Sequence, residues 1–124
     1  MRRRSRYRRL AVGPDTYRWS VTHRHKTPTP DVCAEVLTLR RDGSPGRVTL
    51  VFTSGEDYGV QDGWLHDGAV MRYADGAYLN LHRPGTARAF LDAVLAQGLG
   101  FDEHTETEGW PWLDAALSRL TPAS

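Results

Sequence analysis

Tyr17, Trp19, Val21 and His23 alternate with Arg18, Ser20 and Thr22. A period of two puts the first set on one face of a β-strand and the second on the other. Residues 16–23 are therefore predicted to form a half-buried strand with an aromatic inner face. Upstream, Arg8–Val12 is set apart by the turn sequence Gly13-Pro14-Asp15, and the two segments read as a hairpin. Residues 26–31 hold two prolines that cannot donate to a ladder, and a loop is expected there. Cys33–Arg41 follows as a strand with Leu37 and Leu39 on one side. Residues 42–46, Asp-Gly-Ser-Pro-Gly, turn the chain, and Arg47–Thr53 returns antiparallel with Val48, Leu50 and Phe52 aligned.

Residues 54–67 break this regularity. Gly55, Gly59 and Gly63 interleave with Glu56, Asp57, Asp62 and Asp67. The reading is a long loop, pinned to the body by Trp64 and Leu65, of the kind that often carries function. Residues 69–73 and 77–81 then read as two short strands around Ala74-Asp75-Gly76.

The clearest helix starts at Pro84, whose missing N–H costs nothing at a first helical position. Ala87, Phe90, Leu91, Val94 and Leu95 make one apolar stripe at spacings of three and four. Arg88 and Asp92 can pair on the other side. Gly98 supplies the left-handed residue that ends the helix, and Leu99 or Phe101 folds back on the last turn. Such a helix, about four turns long, needs a surface to lie on. His82 and Arg83, at its entrance, read as helix-terminus chemistry. Residues 102–108 form an acidic connector with four carboxylates. A second, shorter helix follows from Pro111, with Leu113, Ala116, Leu117 and Leu120 as its stripe, and ends before Pro122.

Strands first and helices last is the pattern of an α+β domain. The expected fold is an antiparallel β-meander of about five to six strands with two C-terminal helices packed on one face. There is no β-α-β alternation, hence no doubly wound sheet. The chain has 124 residues, the size of one domain. That domain is expected over 7–121, with 1–6 a disordered basic arm.

Charge sharpens this. The net charge is +1, yet six arginines fall in the first nine residues, so the remainder carries ten cations against fifteen anions. The body is mildly acidic, which argues against a globally nucleic-acid-binding domain. Cys33 is the single cysteine; it excludes an intramolecular disulfide and a multi-Cys zinc site, and fits a reducing compartment. Neither a membrane span nor a signal-peptide core is legible, so the expected location is cytoplasmic and no membrane partner is expected.

Candidate chemistry is sparse. His23 and His25, two apart on a strand, point the same way and could chelate a metal, with His66, His82 or Cys33 completing the site. The plainer reading is polar residues at a strand end. The carboxylates Glu56, Asp57, Asp62 and Asp67 lack the spacing of a calcium loop and fit turn chemistry. Ser54 lacks the flanking glycines of a nucleophile elbow. Cys33 reads as a small buried hydrophobe. No phosphate-binding loop is present, so no cofactor and no catalytic residue is expected. Arg2, Arg3, Arg4, Arg6, Tyr7, Arg8 and Arg9 form an arm able to neutralise phosphates and stack a base. Trp64, Trp110 and Trp112, with Asp102, Glu103, Glu106 and Glu108, suggest an acidic surface with an aromatic anchor for another protein; alternatively the two later tryptophans cap the core.

Two stretches, Tyr17-Arg18-Trp19-x-Val21 and Pro84-x3-Arg88-x2-Leu91-x3-Leu95-x2-Gly98 followed by Phe101, resemble a loose family of small bacterial proteins without an assigned activity. The resemblance covers about a third of the chain, and neither motif is specific. It implies the fold and no site residues. The 54–67 loop and the last helix look like additions to that family's pattern.

The functional expectation is a non-catalytic protein-binding, adaptor or immunity-type accessory protein, whose partner is another protein, a second copy of the chain included. The alternatives are a nucleic-acid-associated protein using the arginine arm and a small metal-dependent enzyme using His23 and His25.

Overall fold

A computed structural model describes residues 7–25, 32–60 and 67–120. The expected loop at 26–31, the arm at 1–6, Trp64 and Leu65 lie outside the described residues. The described residues form an α+β fold with eight strands and two α-helices: β1 (Arg8–Val12), β2 (Asp15–His25), β3 (Cys33–Arg41), β4 (Arg47–Thr53), β5 (Tyr58–Val60), β6 (Ala69–Arg72), β7 (Ala77–Asn80), α1 (Pro84–Ala96), β8 (Thr105–Glu108) and α2 (Leu113–Leu120). A single 3-10 turn, Trp110–Trp112, leads into α2.

The strands divide between two sheets instead of one meander. The main sheet has the order β1-β2-β3-β4-β8, and β5-β6-β7 form a separate three-stranded antiparallel sheet. Two elements depart from the expected pattern. Tyr58–Val60, inside the presumed loop, pairs antiparallel with β6. Thr105–Glu108, read as an acidic connector, is a strand running parallel to β4. Its carboxylates do not prevent pairing because Glu106 and Glu108 are exposed while Thr105 and Thr107 are half-buried. Charge on an edge strand also blocks further pairing with other chains. Two close approaches seat it. Gly46 N–H donates to Phe101 O at 2.7 Å and Gly109 N–H to Val51 O at 2.8 Å. At Gly46 a Cβ would stand 2.2 Å from Glu103 O, so only glycine lets the two backbones meet there.

The core lies on one face of the main sheet. Trp19, Leu37, Leu39, Leu50 and Phe52 from the strands meet Phe90, Leu91 and Val94 of α1, with Val60, Val70 and Leu79 from the small sheet. Phe52 is central: its ring stands edge-on to Phe90 at 5.3 Å and to Trp110 at 5.1 Å. α1 follows the predicted stripe. Pro84 opens it, Gly98 at φ 78° closes it, and Arg88 pairs with Asp92 at 3.0 Å. α2 packs on α1. On the opposite face of the main sheet, Ala34, Val36 and Val51 are buried as a small separate cluster, and Arg24 reaches across to Glu106 at 3.4 Å. No helix among the described residues is long and apolar enough to cross a membrane.

Candidate metal centre

β2 extends two residues beyond the predicted strand end, so His25 lies in the ladder. Its register against β3 sets His23 opposite Glu35 and His25 opposite Cys33. Residues two apart on a strand share a face. These four side chains therefore form a two-by-two patch on the face that carries Trp19, Leu37 and Leu39. His25 is exposed, His23 half-buried, and Cys33 and Glu35 are buried.

One donor atom each from His23, His25 and Cys33 all fall within 4.8 Å of one another. The two imidazoles stand edge to face at 4.6 Å. Cys33 is fixed from both backbone groups: its N–H donates to Ser54 Oγ at 3.1 Å, and its carbonyl accepts from Ser54 N–H at 2.8 Å. A nitrogen–nitrogen–sulfur set from neutral imidazoles and a thiolate is the donor chemistry of zinc and similar divalent transition metals. Donors at about 2.0–2.3 Å on a tetrahedron stand roughly 3.3–3.8 Å apart. The observed donors, within 4.8 Å of one another, are spaced somewhat wider than that.

Glu35 is the residue that sequence reasoning passed over. It has no exposed surface, and its Oε1 shares a hydrogen bond with His23 Nδ1. Its Oε2 has no partner among the described residues. A buried carboxylate so placed fixes the imidazole's rotation and leaves Nε2 as the ligating nitrogen, the usual arrangement behind metal-binding histidines. Burial raises the carboxyl above its ordinary range; the hydrogen bond and the charge of His23 oppose this, Asp67 reinforces it and His82 opposes it. The signal was in the sequence, since Glu35 shares the strand face of Leu37 and Leu39.

His82, one residue before the Arg83 N-cap of α1, lines a cleft that His23 also lines. Its Nε2 lies 3.3 Å from Asp67 Oδ2. Its backbone N–H donates to Asn80 Oδ1 at 2.9 Å, and Asn80 Nδ2 donates to Asp67 O at 3.0 Å. Gly68, at φ 82°, makes room: a Cβ there would stand 2.4 Å from His82 Cδ2. Arg8 donates to His82 O at 2.9 Å and lies over the Trp19 ring at 4.8 Å. Arg8, Trp19, His23, Asp67 and His82 line a cleft of about 340 Å³ together with residues 20–22. Trp19 Nε1, like Glu35 Oε2, is buried without a hydrogen-bond partner among the described residues.

The other candidate residues are not gathered into one site. Trp110 is buried, donates from Nε1 to Thr53 O at 2.9 Å and stacks on Tyr58 at 4.1 Å. Trp112 is half-buried against the core. Asp102 and Glu103 are exposed ahead of β8. Glu106 turns to Arg24, and Glu108 accepts from Thr53 Oγ1 at 3.2 Å. Of the arginine arm, Arg8 faces the cleft, Arg9 is exposed on β1, and the Tyr7 ring lies 5.6 Å from the Arg40 guanidinium. Arg2, Arg3, Arg4, Arg6, Trp64 and His66 lie outside the described residues.

Comparison of the chain with known protein families, with curated proteins and with solved structures finds no match.

Proposed function

We propose that this protein is metal-dependent and binds one divalent transition metal of the zinc class through His23, His25 and Cys33. The observation that supports it is the convergence of three such donors within 4.8 Å, backed by a buried carboxylate on the first of them. A thiolate–imidazole set excludes the hard, oxygen-seeking cations calcium and magnesium. The docking-surface reading has weaker support. Trp110 is committed to the core, and the four carboxylates of 102–108 divide between Arg24, Thr53 and solvent.

Elemental analysis of the purified full chain, with zinc titration of the chelator-treated protein, tests this. The expected result is one equivalent per chain in the wild type and loss of tight binding in His23→Ala and Cys33→Ser. Absence of uptake, or equal uptake by the variants, would reject it.

A further inference from the structure

We infer that the face of the main sheet turned away from the helices binds single-stranded nucleic acid along a row of arginines. This goes beyond the metal reading and does not depend on it, because the row lies on the opposite face from His23, His25 and Cys33. The strand register builds the row: Arg9 stands opposite Arg18, Arg18 opposite Arg40, and Arg40 opposite Arg47. Residues directly across a ladder share a face. Trp19, Leu39 and Val48, their neighbours along β2, β3 and β4, point into the core with α1, so the four arginines belong to the other face.

Like charges directly opposite one another destabilise a sheet, so four in one row call for an anionic partner. Asp42 pairs with Arg18 at 2.9 Å; among the described residues Arg9, Arg40 and Arg47 have no ion pair. Residues 1–6, which lead into β1, hold four more arginines and no carboxylate. The acids of this face, Glu106 and Glu108, stand on the β8 edge, and Glu106 is turned to Arg24. The plain alternative is that the arginine stems merely cover the sheet. Arg9 and Arg47 are exposed, however, and Arg40 is half-buried. The mildly acidic charge of the body thus hides a basic strip on one face.

Shape and chemistry select a single strand. Four strands about 4.8 Å apart spread the row over roughly 14 Å, too broad for a duplex major groove about 12 Å wide. A splayed single strand lies readily on a sheet face. Tyr7, two residues before Arg9, sets its ring 5.6 Å from the Arg40 guanidinium. Tyr7, Arg18, Arg40 and Arg41 line a cleft of about 390 Å³ with the turn at 42–44. An aromatic ring beside guanidinium groups can stack one base and hold its phosphate. An anionic membrane would also answer the charge, but membrane-surface binding needs apolar side chains to enter the lipid. The large exposed ones among the described residues, Tyr73, Tyr78 and Leu120, lie on other elements.

The probe is a fluorescently labelled deoxythymidine oligomer, titrated with the full chain and followed by anisotropy over a range of salt. Saturable binding is expected. The double variant Arg9→Gln/Arg40→Gln is expected to bind about ten-fold weaker or worse, with a salt slope reduced by about 1.4, since each phosphate contact on a single strand contributes about 0.7. Arg88→Gln/Arg119→Gln removes the same charge from the helices and is expected to change affinity by less than about twofold. Tyr7→Ala is expected to weaken binding about ten-fold with the slope unchanged, because stacking releases no counterion. The double variant should melt no lower than wild type, since it relieves repulsion; Arg9→Gln alone, on the edge strand, gives half the slope change without touching the sheet interior. No binding at low salt, or binding undiminished in the row variants, overturns the proposal. Equal or tighter binding to duplex DNA or to phosphatidylserine vesicles also overturns it, by making the strip a general anion surface.

Discussion

Glu35 lies directly across the β2–β3 ladder from His23, and its buried carboxylate holds the imidazole through Nδ1. A carboxylate with no exposed surface is a costly thing to keep in a small core unless it is paired. Here it fixes which nitrogen of His23 faces outward. Glu35→Ala is expected to lower zinc affinity by about 10–100-fold, the usual cost of removing a partner behind a ligating histidine. Glu35→Gln keeps an acceptor and is expected to lose less. Competition titration against a chelator measures both, and affinities within twofold of wild type would contradict the assigned role.

Trp110 separates core from docking surface. Its ring contacts Phe52 and Tyr58, and its N–H reaches Thr53 O. Trp110→Ala is expected to cost about 3–5 kcal/mol of stability, and Trp112→Ala distinctly less, because Trp112 is only half-buried. Chemical denaturation measures both. A neutral Trp110→Ala would return that residue to the role of a contact anchor.

Gly68 serves His82. It needs a left-handed backbone, and a Cβ would collide with the imidazole. Gly68→Ala is expected to destabilise the fold by about 1–2 kcal/mol from backbone strain alone, with further loss from the collision. Unchanged stability would show that the 67–68 turn relaxes freely.

Arg72 ties the small sheet's hairpin to α2. It bonds Asp75 at 2.6 Å and Asp114 at 2.9 Å. The Asp75 carboxyl is lowered to about 2, first by the Arg72 hydrogen bond and then by the Ala77 N–H. A folded-state value below the unfolded one stabilises the protein above the ordinary carboxylate range, and the stabilisation is lost as pH falls toward 2. Asp75→Asn is therefore expected to melt lower than wild type at neutral pH, with the gap closing below about pH 4. A gap independent of pH would assign the effect to the turn's geometry and not to the charge.

Much of this architecture is written in local pattern. The alternation through Tyr17, Trp19 and Val21, the turn at 42–46 and the stripe from Ala87 to Leu95 each encode their own element, because strand and helix periods differ. β8 was illegible for a physical reason. Its pairing is parallel to a strand more than fifty residues earlier, and Thr-Glu-Thr-Glu has no apolar face to announce it. β5 is three residues long, too short for periodicity. The site was half legible. His23 and His25 share a face by spacing alone, but Cys33 joins them only through the β2–β3 register, which follows from how the whole sheet packs. His82 arrives from a different sheet's end, and no spacing along the chain predicts that.

In the metal-dependent reading proposed above, His23, His25 and Cys33 bind one metal together. A thiolate bound to cobalt(II) gives a charge-transfer absorption that imidazole and water ligands do not. Titrating cobalt into the full chain and into Cys33→Ser tests the claim most directly. The band is expected to saturate at one equivalent in the wild type and to be absent in the variant. No band in the wild type, or the same band in Cys33→Ser, would contradict it.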